Sequence, residues 1–218
     1  MNQKRSALLI VDVQKDFLPG GTLGVKDGDR IIAVINTLQQ QFDRIIATQD
    51  FHPANHKSFA SNHSGKQVGE FIELGGQQQI LWPDHCVQNT EGTKFSEELE
   101  QSKWEKIFQK GMNAEVDSYS GFFDNAKMGD TGLNDYLKKE EISRLYITGL
   151  AQDYCVKFTA LDAVNLGFET YLIADATRPV NLSAADGDQA IQELKAAGIK
   201  IIASKELFNC KYTSKDHV

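Results

Sequence analysis

The sequence is short of cysteine, of positive charge and of long apolar runs, and each shortage excludes a class of protein. Its three cysteines, Cys86, Cys155 and Cys210, are too few and oddly numbered for a disulfide framework, which predicts a reduced, cytoplasmic protein. The chain has 23 Lys and Arg against 30 Asp and Glu, and its net charge of -7 disfavours nucleic acid and anionic membranes as partners. The sequence therefore favours a small-molecule partner.

Apolar runs are short throughout the chain. The longest, such as residues 7–11, are far too short to cross a bilayer, and the opening residues lack the apolar stretch of a signal peptide. With 41% hydrophobic residues in 218, the chain can still build a full core, so folding itself requires neither a metal nor a disulfide. We predict a single domain over residues 1–218, with no membrane association and a frayed tail after Cys210.

Six short runs rich in Ile, Val and Leu predict strands, and helical patterns lie between most of them. The runs cover residues 7–13, 44–48, 105–108, 144–148, 169–174 and 199–203, and the helical patterns cover residues 31–38, 158–165 and 190–197. Near-continuous apolar strands are typical of a parallel sheet covered on both faces. The order predicts an α/β fold with a doubly wound, mainly parallel sheet of about six strands and helices on both faces, a Rossmann-like three-layer arrangement.

The excursion at about residues 50–103 interrupts this alternation and holds four of the five histidines. Long irregular insertions in compact domains are usually functional or disordered. Asp50, His52 and His56 follow a predicted strand in a D-x-H-x-x-x-H pattern, and His85 lies farther along the excursion. One carboxylate with several imidazoles suits Zn²⁺, Fe²⁺ or Mn²⁺. The alternative is a polar loop whose histidines hydrogen-bond locally.

Cys155 follows a predicted strand across a tight turn and opens a predicted helix. An α/β sheet places nucleophiles at such positions, because backbone N–H groups at a helix start carry partial positive charge and lower the pKa of a thiol there. The alternative is that Cys155 is a small buried hydrophobe of the helix. Cys86 is expected to be a buried structural thiol.

Asp12 and Lys110 lie at the ends of other predicted strands. Ligands of an open parallel sheet bind at the carboxyl ends of its strands, so these side chains and Cys155 are expected on one rim. Asp12 needs a partner in its apolar strand, since an unpaired buried carboxylate is costly. Lys110 is a candidate partner that would hold Asp12 close enough to take the thiol proton. The alternatives are an Asp12 that caps a neighbouring loop and a solvated Lys110.

Two aromatic side chains, Phe17 and Trp82, lie in predicted loops near this rim. They suit stacking on a flat aromatic ligand, although loop aromatics often pack locally. The glycine-rich residues 20–24 lack the G-x-G-x-x-G spacing of a nucleotide-binding loop and predict a turn. His63 lies outside the metal pattern and is expected to be exposed.

Four separated segments resemble those of the nicotinamidase group of the isochorismatase-like cysteine hydrolases. They are residues 10–14 with Asp16 and Phe17, residues 48–53, residues 82–87 and residues 149–156. A further segment, Lys110 and Gly111 followed by residues 117–123, is similar to the one that supplies the family's lysine. The match spans nearly the entire chain, and the order of the segments is that of the family.

The resemblance implies a role for each of these residues. Asp12, Lys110 and Cys155 would form the catalytic set, and the backbone N–H groups of Ala151 and Cys155 would form an oxyanion hole. It also implies one divalent transition metal ion, Zn, Fe or Mn, with water completing its shell. The implied metal ligands are Asp50, His52, His56 and His85.

The implied activity is hydrolysis of nicotinamide to nicotinic acid and ammonia through a Cys155 thioester, in NAD salvage, with pyrazinamide as a further candidate substrate. The metal would hold the pyridine nitrogen and orient the ring between Phe17 and Trp82. The resemblance further implies a cis peptide bond entering Gln152, a position where the family commonly has a small hydroxyl residue.

Two other functions stay open at this point. One is an isochorismatase-like hydrolase of another small amide or related substrate, which the family comparison disfavours because this chain keeps both the cysteine and the full metal set. The other is a non-catalytic module that binds a small molecule or a metal. The sequence also leaves the oligomeric state open, a homo-oligomer included.

Overall fold

A parallel sheet runs through the centre of the molecule. The computed structural model describes residues 5–209, so the predicted frayed tail after Cys210 lies outside the described residues. The strands are β1 (Arg5–Val11), β2 (Ile45–Asp50), β3 (Phe71–Leu74), β4 (Gln77–Ile80), β5 (Lys106–Lys110), β6 (Ile142–Leu150), β7 (Glu169–Arg178) and β8 (Lys200–Ile202). The helices are α1 (Arg30–Leu38), α2 (Leu133–Lys139), α3 (Lys157–Asn165), α4 (Asp186–Ala196) and α5 (Ser204–Asn209).

Within residues 5–209, six strands form one sheet in the order β5-β2-β1-β6-β7-β8, and every neighbouring pair is parallel. The chain adds β2 and β5 on one side of β1, and it adds β7 and β8 on the far side of β6. The strand order therefore reverses between β1 and β6, which leaves a crevice at the carboxyl ends of these two strands. The predicted doubly wound sheet is confirmed.

Helices cover both faces of the sheet because side chains alternate along each strand. Leu8 and Ile10 of β1 pack on one face with the apolar side of α1. Leu9 and Val11 point to the other face, where buried side chains of α2, α3 and α4 join them. The three-layer arrangement follows from this alternation.

Strand β1 ends earlier than the sequence predicts. The predicted strand covers residues 7–13, but Asp12 has a φ of 48°, in the left-handed region, and extended pairing stops at Val11. The antiparallel hairpin β3–β4 and helix α2 were not predicted from the sequence. Strand β4 is rich in glutamine, and α2 buries only Leu133 and Leu137, so neither element has a clear apolar pattern.

The excursion between β2 and β5 folds back over the carboxyl edge of the sheet. Besides the β3–β4 hairpin it contains a short 3-10 helix at Ala60–Asn62. Isolated bridges join His52 to Val87 and Phe59 to Trp82. They place the predicted metal-binding and aromatic residues next to the crevice. No helix among residues 5–209 is long and apolar enough to cross a membrane.

Candidate active site

Four polar side chains meet at the carboxyl ends of the central strands. Asp12 follows β1, Asp50 ends β2, Lys110 ends β5, and Cys155 follows β6. All four are buried, with exposed fractions between 0% for Asp12 and 6% for Cys155. The side chains of Asp12, Asp50 and Cys155 lie within 4.8 Å of one another. The structure therefore brings together the residues that the sequence places on one rim.

Glycine at position 149 allows β6 to approach β1 this closely. Gly149 has a φ of 115°, and a Cβ added there would lie 2.0 Å from the Val11 carbonyl oxygen. The register between β6 and β7 also shifts between Ile147 and Gly149. A side chain at this position would push the β6 end, and Cys155 with it, away from Asp12.

Lys110 is the hub of the cluster. Its Nζ lies 3.0 Å from Asp12 Oδ2, and it donates to Asp50 Oδ1 as well. It also donates to the Ser118 carbonyl oxygen at 2.8 Å and approaches Cys155 Sγ at 3.4 Å. Burial alone would lower the pKa of Lys110, but the two carboxylates raise it well above its ordinary value. Lys110 is therefore a buried cation, contrary to the solvated alternative.

Asp12 is a carboxylate whose environment makes it a stronger base. Burial raises the pKa of Asp12, whereas Lys110 and a 2.6 Å hydrogen bond from Thr48 Oγ1 lower it. The net shift is upward, towards the range in which a carboxylate accepts protons near neutral pH. Asp12 is thus placed to exchange a proton within the cluster.

The Cys155 thiol differs from the sequence expectation. Its position near a helix start predicts a lowered pKa, but burial raises the pKa of Cys155 well above its ordinary value, although Lys110 acts in the opposite direction. Desolvation of the thiolate, together with the nearby Asp12 and Asp50 carboxylates, outweighs the effect of the helix start on this pKa. The thiol therefore keeps its proton until a neighbouring base removes it.

The turn that presents Cys155 is a π-helical turn over Gln152–Val156. The carbonyl oxygen of Ala151 accepts hydrogen bonds from the N–H groups of Tyr154 and Val156, each at 3.1 Å. The cis peptide bond lies between Leu150 and Ala151, so its expected position, the bond entering Gln152, was wrong by one residue. Strand β6 runs through Leu150, and the bond that leaves this strand is the cis one.

Asp50, His52 and His85 form a group suited to a metal ion. Asp50 Oδ2 lies 3.5 Å from His52 Nε2 and 3.9 Å from His85 Nε2. Ligand atoms about 2.1 Å from a tetrahedral ion lie about 3.4 Å from each other, so these separations fit one shared ion. Lys110 and His52 hold the pKa of Asp50 below its usual range although burial opposes them, which keeps the carboxylate charged.

The hydrogen bonds of His52 and His85 fix which nitrogen faces the site. His52 Nδ1 lies 2.8 Å from the Gly111 carbonyl oxygen, and His85 Nδ1 lies 2.7 Å from the Pro83 carbonyl oxygen. Because a carbonyl oxygen can only accept, each Nδ1 carries the ring hydrogen and each Nε2 presents a lone pair. This arrangement is typical of metal-binding histidines.

His56 makes its ring contacts with a different partner. Its Nδ1 accepts the backbone N–H of Ser58 at 3.2 Å and lies 2.7 Å from the Ser58 hydroxyl oxygen, a group that can donate or accept. Burial is the main cause that lowers the pKa of His56 to about 4, which keeps the ring neutral at pH 7. His56 Nε2 is buried and has no hydrogen-bond partner among residues 5–209. The ring lies with His52 and Asp117 in a second group of close polar atoms.

Gly111 and the side chain of Gln14 hold two members of the metal-suited group, His52 and Asp50, in place. Gly111 has a φ of 66°, and a Cβ added there would lie 2.3 Å from His52 Cε1. The buried side chain of Gln14 accepts the Asp50 N–H and donates to the Asp50 carbonyl oxygen, both at 2.8 Å. Gly111 and Gln14 therefore fix the His52 ring and the end of β2.

A narrow pocket opens onto the cluster, and both predicted aromatic residues line it. Phe17 and Trp82 are nearly buried there, and Cys155 and His85 share the lining. The Phe17 ring lies 5.5 Å from the His85 ring. The remaining lining comes from Leu23, Asp50, Asp117, Tyr119, Ala151, Tyr154 and Val180. The pocket is thus mostly apolar, with the polar cluster at its base.

Some neighbours of the site were not found from the sequence. Asp117 is buried, accepts the Ser118 N–H and the Gln79 side chain, and lines the pocket. Tyr119 accepts a 3.1 Å hydrogen bond from Trp82 Nε1. Their sequence signal was present in the residues 117–123 that follow the lysine segment, but polar loop residues carry no periodicity that would single them out.

Three further predictions concern His63, Cys86 and the glycine-rich residues 20–24. His63 lies apart from the group and is half-buried rather than exposed, because its Nε2 bonds to the Lys57 carbonyl oxygen at 2.7 Å. Cys86 is fully buried, as predicted for a structural thiol. The glycine-rich residues 20–24 form turns.

Comparisons of the sequence with known proteins agree on one family. The isochorismatase domain model matches residues 6–206. The nicotinamidase of Escherichia coli (strain K12) is 48% identical over 88% of this chain and 92% of its own length.

Three solved structures of nicotinamidases or pyrazinamidases have the same fold. The Acinetobacter baumanii nicotinamidase and pyrazinamidase has a TM-score of 0.91 and 44% identity over 95% of this chain and all of its own. The yeast nicotinamidase bound to the inhibitor nicotinaldehyde has a TM-score of 0.87 and 36% identity, covering 91% of this chain and 99% of its own. The pyrazinamidase of Pyrococcus horikoshii in complex with zinc has a TM-score of 0.74 and 37% identity, with coverages of 91% and 99%.

Proposed function

This chain belongs to the isochorismatase family, and we propose that it is a nicotinamidase, which hydrolyses nicotinamide to nicotinic acid and ammonia in NAD salvage. The observation that carries this proposal is a buried thiol, carboxylate and ammonium at the base of an aromatic-lined pocket. A hydrolase of linear amides needs a nucleophile, a proton carrier and a place for the flat ring, and this pocket holds all three.

Cys155 is the nucleophile and Asp12 the proton carrier in the proposed reaction. As Sγ attacks the carboxamide carbon, the thiol proton passes to the Asp12 carboxylate, whose raised pKa suits it to accept. The carbonyl oxygen gains negative charge, which the N–H groups of Ala151 and Cys155 stabilise. Lys110 keeps Asp12 in position and offsets its charge.

The thioester forms when the carbon–nitrogen bond breaks. Asp12 returns the proton to the leaving amine, which departs as ammonia, and Cys155 stays acylated. A water molecule then attacks the thioester carbon and gives its proton to Asp12. The carbon–sulfur bond breaks, Cys155 recovers a proton, and nicotinic acid leaves.

Asp50, His52 and His85 would hold one divalent ion, Zn, Fe or Mn, because their oxygen and two Nε2 lone pairs converge. When bound, the ion supplies a ligand position for the pyridine nitrogen and so orients the ring between Phe17 and Trp82. We place His56 outside the ligand set, because its ring groups with His52 and Asp117 rather than with Asp50 and His85. The same pocket accommodates pyrazinamide, which has a similar flat ring.

Ammonia release from nicotinamide tests the proposed function. The metal-loaded parent protein and a Cys86→Ala variant should release ammonia, since Cys86 is buried but lies outside the reacting cluster. Cys155→Ala should lower kcat by at least about 10³-fold. A Cys155→Ala variant with a rate near that of the parent would contradict the nucleophile, and a folded parent with no ammonia release would contradict the substrate.

Metal content tests the ligand assignment independently of activity. His52→Ala should lose the bound ion, because it removes one of the converging lone pairs. His56→Ala and the control His63→Ala should still bind one equivalent at saturating metal. The measurement is metal per chain after dialysis against a weak chelator. Equal loss of metal in His56→Ala and His52→Ala would restore His56 to the ligand set.

A further inference from the structure

The nucleophile turn is attached to one wall of the substrate pocket by two buried polar side chains. The wall segment is residues 179–185, between β7 and α4, and its Val180 lines the pocket together with Cys155. Gln152 and Asp153 begin the turn that carries Cys155, and they are 8% and 4% exposed. Together these two side chains are called the clamp.

Gln152 connects the two elements that flank the wall segment, β7 and α4. Its Oε1 accepts a 3.0 Å hydrogen bond from Thr177 Oγ1 near the end of β7. Its Nε2 donates a 3.0 Å hydrogen bond to the Gly187 carbonyl oxygen in the first turn of α4. Both ends of the amide are therefore used, and a shorter side chain could not reach both partners.

Asp153 holds the middle of the wall segment. Its two carboxylate oxygens accept the N–H groups of Val180 and Asn181, each at 2.9 Å. Hydrogen bonds to a charged acceptor are stronger than neutral ones. Asn181 has a φ of 55°, and its side chain accepts the Gly187 N–H at 2.8 Å. The backbone on either side of the Val180 carbonyl is thus fixed relative to the turn.

We propose that Gln152 and Asp153 are positioning residues that set the width of the substrate pocket by fixing Val180 relative to Cys155. Of the described residues, those lining this pocket include Val180 but neither member of the clamp, so the clamp acts through the wall. The inference rests on the proposed function, because the pocket is taken as the nicotinamide site. A loosened wall binds nicotinamide more weakly and admits amides with larger rings.

The first test measures the wall directly and does not depend on catalysis. Gln152→Met keeps the side-chain length but removes both hydrogen bonds, and Asp153→Asn removes one acceptor. In Asp153→Asn, the Val180 or Asn181 amide that loses its acceptor should exchange about tenfold faster, as expected for one lost hydrogen bond. In Gln152→Met both amides should exchange faster than in the parent, because the wall segment opens more often when its flanking bonds are lost. The control Gln189→Met changes an exposed glutamine of α4 and should exchange at the parent rate.

The second test compares two substrates, nicotinamide and 5-methylnicotinamide. In Gln152→Met the KM for nicotinamide should rise about tenfold with kcat within about threefold, and the ratio of kcat/KM values should move towards the larger amide. Val180→Ala should move the ratio in the same direction. A purely structural role would lower both kcat/KM values equally.

Two results would contradict the proposed role of the clamp. One is a folded Gln152→Met with the exchange rates of the parent, and the other is an unchanged substrate ratio despite faster exchange. A parent protein that hydrolyses neither amide refutes the proposed function instead, and in that case the exchange rates alone decide whether the clamp fixes the wall.

Discussion

At the scale of single residues, the site depends on the charge balance around Lys110. One buried ammonium contacts two carboxylates and one thiol, all removed from water. Its positive charge keeps Asp50 ionised, whereas burial leaves Asp12 with a raised pKa. The two aspartates thus have different roles. Asp50 is suited to binding a cation, and Asp12 is suited to carrying a proton.

Thr48 should influence the pH at which Asp12 works. Its hydroxyl donates to Asp12 Oδ1, which favours the ionised carboxylate and lowers the pKa. In Thr48→Val the Asp12 pKa rises, and since the reaction needs ionised Asp12, the acidic limb of kcat/KM moves to higher pH. We expect kcat/KM near neutral pH to fall about tenfold.

The control for this prediction is Thr148→Val. Thr148 is a buried threonine on the neighbouring strand β6, and its hydroxyl bonds to the Ala176 carbonyl oxygen rather than to Asp12. Its pH profile should keep the acidic limb of the parent. An acidic limb at the same pH in both variants would remove Asp12 from the role of base.

The identity of the site residues could be predicted from the sequence, but their ionisation could not. Asp12, Lys110 and Cys155 each lie within or shortly after a predicted apolar strand, so the rule for open parallel sheets brings them together. The raised pKa of Cys155 depends on how fully the fold removes it from water. The grouping of His56 with Asp117 rather than with Asp50 and His85 depends on the path of the excursion, which no spacing in the sequence reveals.

At the scale of elements, strand ends and the turns after them place the reacting groups. The end of β5 is an example, because Gly111 follows Lys110 directly and its carbonyl oxygen orients His52. The strands of the six-stranded sheet were the easier elements to predict, since most of them are rich in Ile, Val and Leu. The β3–β4 hairpin was not predictable in this way, because each strand has only four residues, β4 is rich in glutamine, and most side chains of the hairpin are at least partly exposed.

Gly111→Ala should disturb the metal group through a steric clash. The new Cβ would lie 2.3 Å from His52 Cε1, and the φ of 66° is unfavourable for alanine. We expect unfolding free energy to fall by more than about 2 kcal/mol and the bound metal to be lost. Thermal unfolding and metal analysis measure the two effects.

Gly132→Ala is the control for this prediction, because it has the cost of a positive φ for alanine without a steric clash. Gly132 has a φ of 80°, but no atom lies within 4 Å of the Cβ it would gain. This variant should lose about 1–2 kcal/mol of unfolding free energy and keep its metal. Normal metal content in Gly111→Ala would mean that His52 does not need its present position.

At the scale of the whole molecule, the site lies where the strand order reverses, between β1 and β6. The excursion closes over this crevice and adds His52, Trp82 and His85 to residues from the sheet. The doubly wound topology was predictable from the alternation of strands and helices. The path of the excursion was not, because its loops are held by contacts between distant residues. The single domain over residues 1–218 stays a prediction.

Metal binding should stabilise the entire fold, since the proposed ligands join β2 to the excursion. An ion that binds only the folded state at about 100 times its Kd adds about 2.7 kcal/mol to the unfolding free energy. Chelation should therefore lower Tm, and Zn²⁺ should restore it. In His52→Ala, added Zn²⁺ should leave Tm unchanged. A Tm that responds equally in parent and variant would place the ion elsewhere.

Detection of the acylated enzyme is the strongest test of nucleophilic catalysis by Cys155. Metal-loaded protein is mixed with excess nicotinamide, quenched in acid during turnover, and analysed by intact-protein and peptide mass spectrometry. We predict a nicotinoyl group on Cys155, absent from Cys155→Ala and from Cys86 of the parent. Ammonia release at the full rate with no acyl group on Cys155, under conditions that preserve a synthetic thioester, would contradict nucleophilic catalysis by this cysteine.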